Sequence, residues 1–135
     1  MFDADCAVLT EHGYVRAAEL RPGERLINPF GGAPGRVRRV TRRHVALQDV
    51  CRFEPGALMA DGGRARPDGP LDLVAHLQVY APDEYGRCRA WRASDLVVPE
   101  VRLFDGVDLR VEGADLLVVN GVVVEMAHAP ICVLG

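Results

Sequence analysis

The chain has 135 residues, of which 49% are hydrophobic and 26% charged, with a net charge of −3. That is enough for one domain with its own core, and too apolar for a disordered tail. No apolar run approaches the ~20 residues a membrane helix needs, and "MFDAD" lacks the basic and apolar regions of a signal peptide, so the chain reads as cytoplasmic or as part of an assembled particle.

Along the chain the local signals are almost all of strand type. "CAVLT" is a short apolar strand and "HGY" a turn, and "VRAAEL" is a strand end or one helical turn. Pro22 and Gly23 in "RPGER" suit the centre of a tight turn. "RVRRVTRRHVALQDVCRF" carries valines with polar partners, as a long twisted strand or bent hairpin does. "EPGALMADGGRARPDGP" is expected to be mostly loop. "LDLVAHLQVYA" reads as a strand, "PDEYGR" as a turn, and "CRAWRASDLVV" as a strand leading into a short helical turn. In "ADLLVVNGVVVEM" two β-branched runs flank Asn120-Gly121, the pair that a type I′ hairpin turn demands because both central residues need φ > 0. Many short strands with regular turns indicate an all-β domain. It is expected to span residues 1–135, with residues 1–5 as a short leader before Cys6.

Cys6, Cys51, Cys88 and Cys132 form no CxxC pair, so neither a zinc site nor a disulfide framework is expected, and no metal or cofactor is read from the sequence. The paired acids Asp83 and Glu84 sit in a turn as surface charge.

The order C-A-V-L-T-x-x-G-x-V-x-A-x-x-L-x-P-G-x-x-L, from Cys6 to Leu26, resembles the opening of the Hint family, the module shared by hedgehog autoprocessing domains and inteins. "PGALMADGGRARPDGPLDLVAHLQVYAPD" is similar to the family's stretch leading to a histidine-bearing strand, "RAWRASDLVVP" to its Ala-x-x-Leu step, and "GADLLVVNGVVVE" to its terminal hairpin. The resemblance implies a compact, horseshoe-like all-β fold of two intertwined, pseudo-symmetric halves. It also implies a chemistry in which a cysteine thiol attacks the preceding carbonyl, converting an amide into a thioester with a histidine's help.

On that resemblance Cys6 stands at the nucleophile position and His76 at that of the first histidine. Leu73 replaces the hydroxyl partner, Ala114 stands where the hairpin histidine belongs, and "APICVLG" lacks the His-Asn pair of splicing. "TRRH", Thr41 to His44, spells Thr-x-x-His but lies before the Gly-rich loop, and His12 and His128 read as turn or surface residues. Cleavage at Cys6 would release only "MFDAD". The expectation is therefore a degenerate, non-catalytic Hint-like module, structural or interactive, such as an accessory or decoration component of a phage-like particle. The alternative is an autoprocessing domain using Cys6, with His76, for an N-to-S acyl shift.

Arg36, Arg38, Arg39, Arg42 and Arg43 crowd within eight residues. With aromatics at 6%, too few for base stacking, nucleic acid is not expected as a partner. The chain is basic early and acidic late, which suits docking onto another protein or a second copy. The apolar end, with Pro130, Ile131, Val133 and Leu134, is expected at or beside such an interface, with the arginines meeting acidic surface. No small-molecule substrate and no membrane partner is read from the sequence.

Overall fold

The computed structural model describes residues 2–42, 45–61 and 64–126. The first strands are β1 (Phe2–Asp3), β2 (Ala7–Thr10) and β3 (Gly13–Arg16), followed by a 3-10 turn at Ala17–Glu19 and β4 (Arg25–Leu26). The arginine-rich stretch makes the long strands β5 (Gly35–Arg42) and β6 (Ala46–Phe53). The Gly/Pro-rich segment, expected to be mostly loop, holds a small ribbon of β7 (Met59–Asp61) and β8 (Arg64–Arg66). "LDLVAHLQVYA" is broken into β9 (Leu71–Val74) and β10 (Gln78–Pro82), which leaves His76 in a turn. Then come β11 (Cys88–Arg92), the one-turn helix α1 (Ala93–Leu96), and β12 (Glu100–Phe104) and β13 (Gly106–Glu112), two strands that the sequence pattern did not announce. The hairpin β14 (Leu116–Val119) and β15 (Val122–Glu125) closes the described chain, with Asn120 at φ 47° and Gly121 at φ 80°, as its turn requires.

Among the described residues, 13 strands join in one curled sheet in which β11, β10, β15, β14, β2, β4, β5, β13, β1, β9, β6 and β12 follow one another, with β3 beside β2. The β14–β15 hairpin lies inside this sheet, between β2 and β10, so its apolar residues Leu117, Val119, Val122 and Val124 are buried. With Phe53, Leu71, Leu73 and Leu77 they make up much of the core; each such side chain contributes about 1.5–3 kcal/mol by leaving water.

The two pseudo-symmetric, intertwined halves are visible in the hydrogen bonds. The turn that brings Cys6 N–H to Asp3 O (3.1 Å) is repeated where Leu77 N–H reaches Val74 O (3.0 Å). Ala17 N–H donates to Cys6 O, as Ala93 N–H does to Leu77 O, both at 2.8 Å. Ala18 N–H bonds Ala4 O and Ser94 N–H bonds Ala75 O, while Ala4 N–H meets Asp105 O and Ala75 N–H meets Asp49 O. β1, β2, β3 and the 3-10 turn thus correspond to β9, β10, β11 and α1. The long arms exchange: β5 pairs with β13, and β6 with β12. Phe2 pairs with its own counterpart, Leu73, so the pseudo-two-fold axis passes between them.

The residues before Cys6 are tied into the sheet. Phe2 pairs with both Leu73 and Val107, and Phe2 and Ala4 are buried.

Candidate functional site

Cys6 follows the turn Asp3-Ala4-Asp5 at the head of the sheet, 5% exposed. Both its main-chain polar groups are used, the N–H by Asp3 O and the carbonyl by Ala17 N–H. Burial, and next the Asp3 carboxylate, push its thiol up to about 12. Asp3 is itself raised, first by burial and then by the nearby charges of Asp5, Asp72 and Asp105, although its Oδ1 accepts the Asp5 N–H at 2.8 Å. Asp5 points outward into an ion pair with Arg16, which also reaches Glu19 at 3.2 Å. Cys6 therefore lies among carboxylates, which favour the neutral thiol, and no base is bonded to it among the described residues.

No hydrogen bond links His76 to Cys6 among the described residues. Because β1 and β9 run antiparallel through Phe2–Leu73, the chain runs from Phe2 to Cys6 in one direction and from Leu73 to His76 in the other. His76 occupies the turn position equivalent to Asp5 in the other half and is exposed. Leu77, fully buried, is the counterpart of Cys6. Leu73, where a hydroxyl was sought, is also fully buried. Ala114 is half-buried, its Cβ within 3.1 Å of where a Cβ on Gly35 would stand.

Of the arginine cluster, Arg36, Arg38, Arg39 and Arg42 project from β5 and are exposed. Acidic partners come from the same chain: Arg38 pairs with Glu112, and Arg42 Nη2 bonds Asp105 Oδ2 at 2.8 Å, which lowers the Asp105 carboxyl. Arg39 stands opposite Arg110, and Arg36 opposite Glu112, in the β5–β13 register. Arg43, His44 and the C-terminal residues Pro130, Ile131, Val133 and Leu134 lie outside the described residues, as do His128 and Cys132. Asp83 is a turn former, its Oδ1 accepting the N–H groups of Tyr85 (2.8 Å) and Arg87 (2.9 Å). Cys51 is buried and its thiol reaches Val97 O at 3.4 Å, whereas Cys88 is exposed. No cluster of His, Cys, Asp and Glu among the described residues is arranged to hold a metal.

Asn120 has a role beyond its turn that the sequence did not reveal. Its Oδ1 accepts the Ala7 N–H at 2.8 Å, the next residue after Cys6, and its Nδ2 donates to Pro70 O at 3.2 Å. One side chain thus ties the terminal hairpin to β2 and to the approach to β9.

No family model and no curated protein sequence matches the chain. Solved structures do. The Msm DnaB1 intein splicing domain is 20% identical with a TM-score of 0.55, over 94% of this chain and 100% of its own. A DnaB intein from Synechocystis sp. PCC 6803 is 14% identical with a TM-score of 0.56, over 94% and 98%. The gp41-1 intein is 12% identical with a TM-score of 0.54, over 93% and 97%. At such identities the likeness establishes the fold: this chain has the Hint fold of inteins, from near one end to the other.

Proposed function

We propose that this Hint-fold domain does not cleave its own chain and works instead as a protein-docking module, an accessory component of a larger assembly, with Cys6 as a packing residue. The observation that carries the reading is the surroundings of Cys6. An acyl shift needs a thiolate poised against the Asp5 carbonyl and a proton donor for the departing nitrogen. A thiol pushed up to about 12, first by burial, stays protonated at neutral pH. The Asp3 and Asp5 carboxylates both disfavour its charged form, and the Cys6 N–H is already committed to Asp3 O. The segment in front is woven into the sheet through Phe2, so a cut before Cys6 would remove a strand on the pseudo-symmetry axis. A docking role is supported by aliphatic side chains that the fold leaves outside, including Leu47, Val98, Val101 and Leu103.

The test is an intact-mass time course on the protein carrying an extension before Met1, incubated with a small thiol or hydroxylamine. The expected result is an unchanged mass. A growing species that begins at Cys6 would establish the acyl shift and overturn the reading.

A further inference from the structure

The sheet ends at β12, which among the described strands pairs only with β6 and leaves its other backbone edge open. One face of this edge sets aliphatic side chains in water beside one carboxylate: Val101 is 66% exposed and stands opposite the exposed Asp49 on β6, while Leu103 is 71% exposed and stands opposite Leu47, 67% exposed. Open edges are usually blunted by like charges, bulges or prolines within the strand. On β12 the opposite face instead carries one charge of each sign, Glu100 and Arg102, bonded to one another at 2.6 Å.

We propose that two copies of this chain associate by pairing β12 with β12 antiparallel, about a two-fold axis at Val101. The charge pattern selects this register. A two-fold perpendicular to the sheet keeps each residue on its own face, so the axis must pass through a residue and not between two. Centred on Val101, it places the two Val101 side chains opposite one another and each Glu100 opposite Arg102 of the second copy. With the pair already present in each chain, the four charges form an alternating ring in which every arginine lies between two glutamates. Leu103 then faces Pro99 of the second copy and extends the row begun by Leu47. An axis at Arg102 sets two arginines against each other, and an axis at Leu103 leaves Arg102 facing the buried Phe104. The inference rests on the docking reading above and names its partner as a second copy of the chain.

The test is made in a Cys88→Ser, Cys132→Ser background. Directly opposed residues of antiparallel strands have Cα atoms about 4.5–5.5 Å apart, within disulfide reach. Val101→Cys is therefore expected to oxidise to a covalent dimer and Leu103→Cys to form no cross-link. In sedimentation, Glu100→Arg and Arg102→Glu should each weaken association by about tenfold or more, and the double exchange should restore it. Equal cross-linking at both positions, or no concentration-dependent dimer, would overturn the proposal. So would a dimer that appears only after truncation at Met126, which would make the chain's own C-terminal segment the occupant of this edge, and so would single charge changes without effect. Intact mass of the same samples reports on cleavage separately, so a failure of the non-cleaving reading and a failure of the dimer are told apart.

Discussion

Replacing Asn120 by alanine tests how the terminal hairpin is tied to the rest of the fold. Two effects combine. The position sits at φ 47°, where alanine lacks asparagine's tolerance of left-handed backbone; this costs about 1 kcal/mol. The Ala7 N–H, in a partly buried site, loses the Asn120 Oδ1 acceptor; leaving such a donor unpaired costs about 1–3 kcal/mol. The Nδ2 bond to Pro70 O is exposed and adds little. Asn120→Ala should therefore lose about 2–4 kcal/mol, which for a domain of this size lowers Tm by about 6–15 °C. Asn120→Gly separates the two effects, because glycine accepts the backbone angle and loses only the side-chain bonds. Asn120→Asp keeps an acceptor for Ala7 and should fall between wild type and glycine. Urea unfolding followed by circular dichroism gives each difference. An alanine variant within about 0.5 kcal/mol of wild type, or an aspartate variant as unstable as alanine, would refute the role assigned to this side chain.

Asp3 supplies a pH dependence. Its folded carboxyl is raised, by burial first, so its protonated form is the favoured one and stability is lost as pH rises through that folded value. Asp3→Asn keeps the Oδ1 acceptor and removes the charge; it should melt above wild type at pH 7, with the gap closing below about pH 4, and a gap independent of pH would contradict this. Gly35 has no left-handed backbone, but a Cβ there would lie 2.7 Å from Val111 Cγ1 and 3.1 Å from Ala114 Cβ. Gly35→Ala should cost about 1–3 kcal/mol by crowding where β5 meets β13, and thermal melts that match wild type would show that the arms yield freely. Cys6→Ala, which removes a buried sulfur from the first turn, should cost about 1 kcal/mol or more, a loss visible in the same melts and absent if Cys6 packs against nothing.

What the sequence made legible were features with strict local chemistry. Asn120-Gly121 has one conformation to adopt, and Pro22-Gly23 places Gly23 at φ 95°, so both turns were plain. β12 and β13 were not, because "EVRLFDGVDLRVEG" carries its exposed valine and leucine on the outer face, inverting the usual apolar-inside pattern. The β7–β8 ribbon was hidden by the glycines and prolines around it. The break at Ala75-His76 escaped notice because "LDLVAHLQVYA" is continuously strand-like, and it becomes evident only when its hydrogen bonds are compared with those of Asp3 to Cys6. The fold was thus readable from motif order, whereas the relation of Cys6 to His76 depends on strand register, which no single chain displays. The arginines of β5 looked like a surface awaiting acids elsewhere, yet Glu112 and Asp105 of β13 and its approach answer two of them.

Whether Cys6 is a packing residue or a nucleophile is measured most directly by its alkylation rate against pH. The protein for it carries Cys51→Ala, Cys88→Ser and Cys132→Ser, so that only one thiol remains. While the chain is folded, Cys6 should resist a small alkylating reagent through neutral and mildly alkaline pH, reacting only as the pH approaches about 12 or the fold is lost. Rapid modification of the folded protein at neutral pH, with a titration at or below about 8.5, would contradict the account and return Cys6 to the role of a nucleophile.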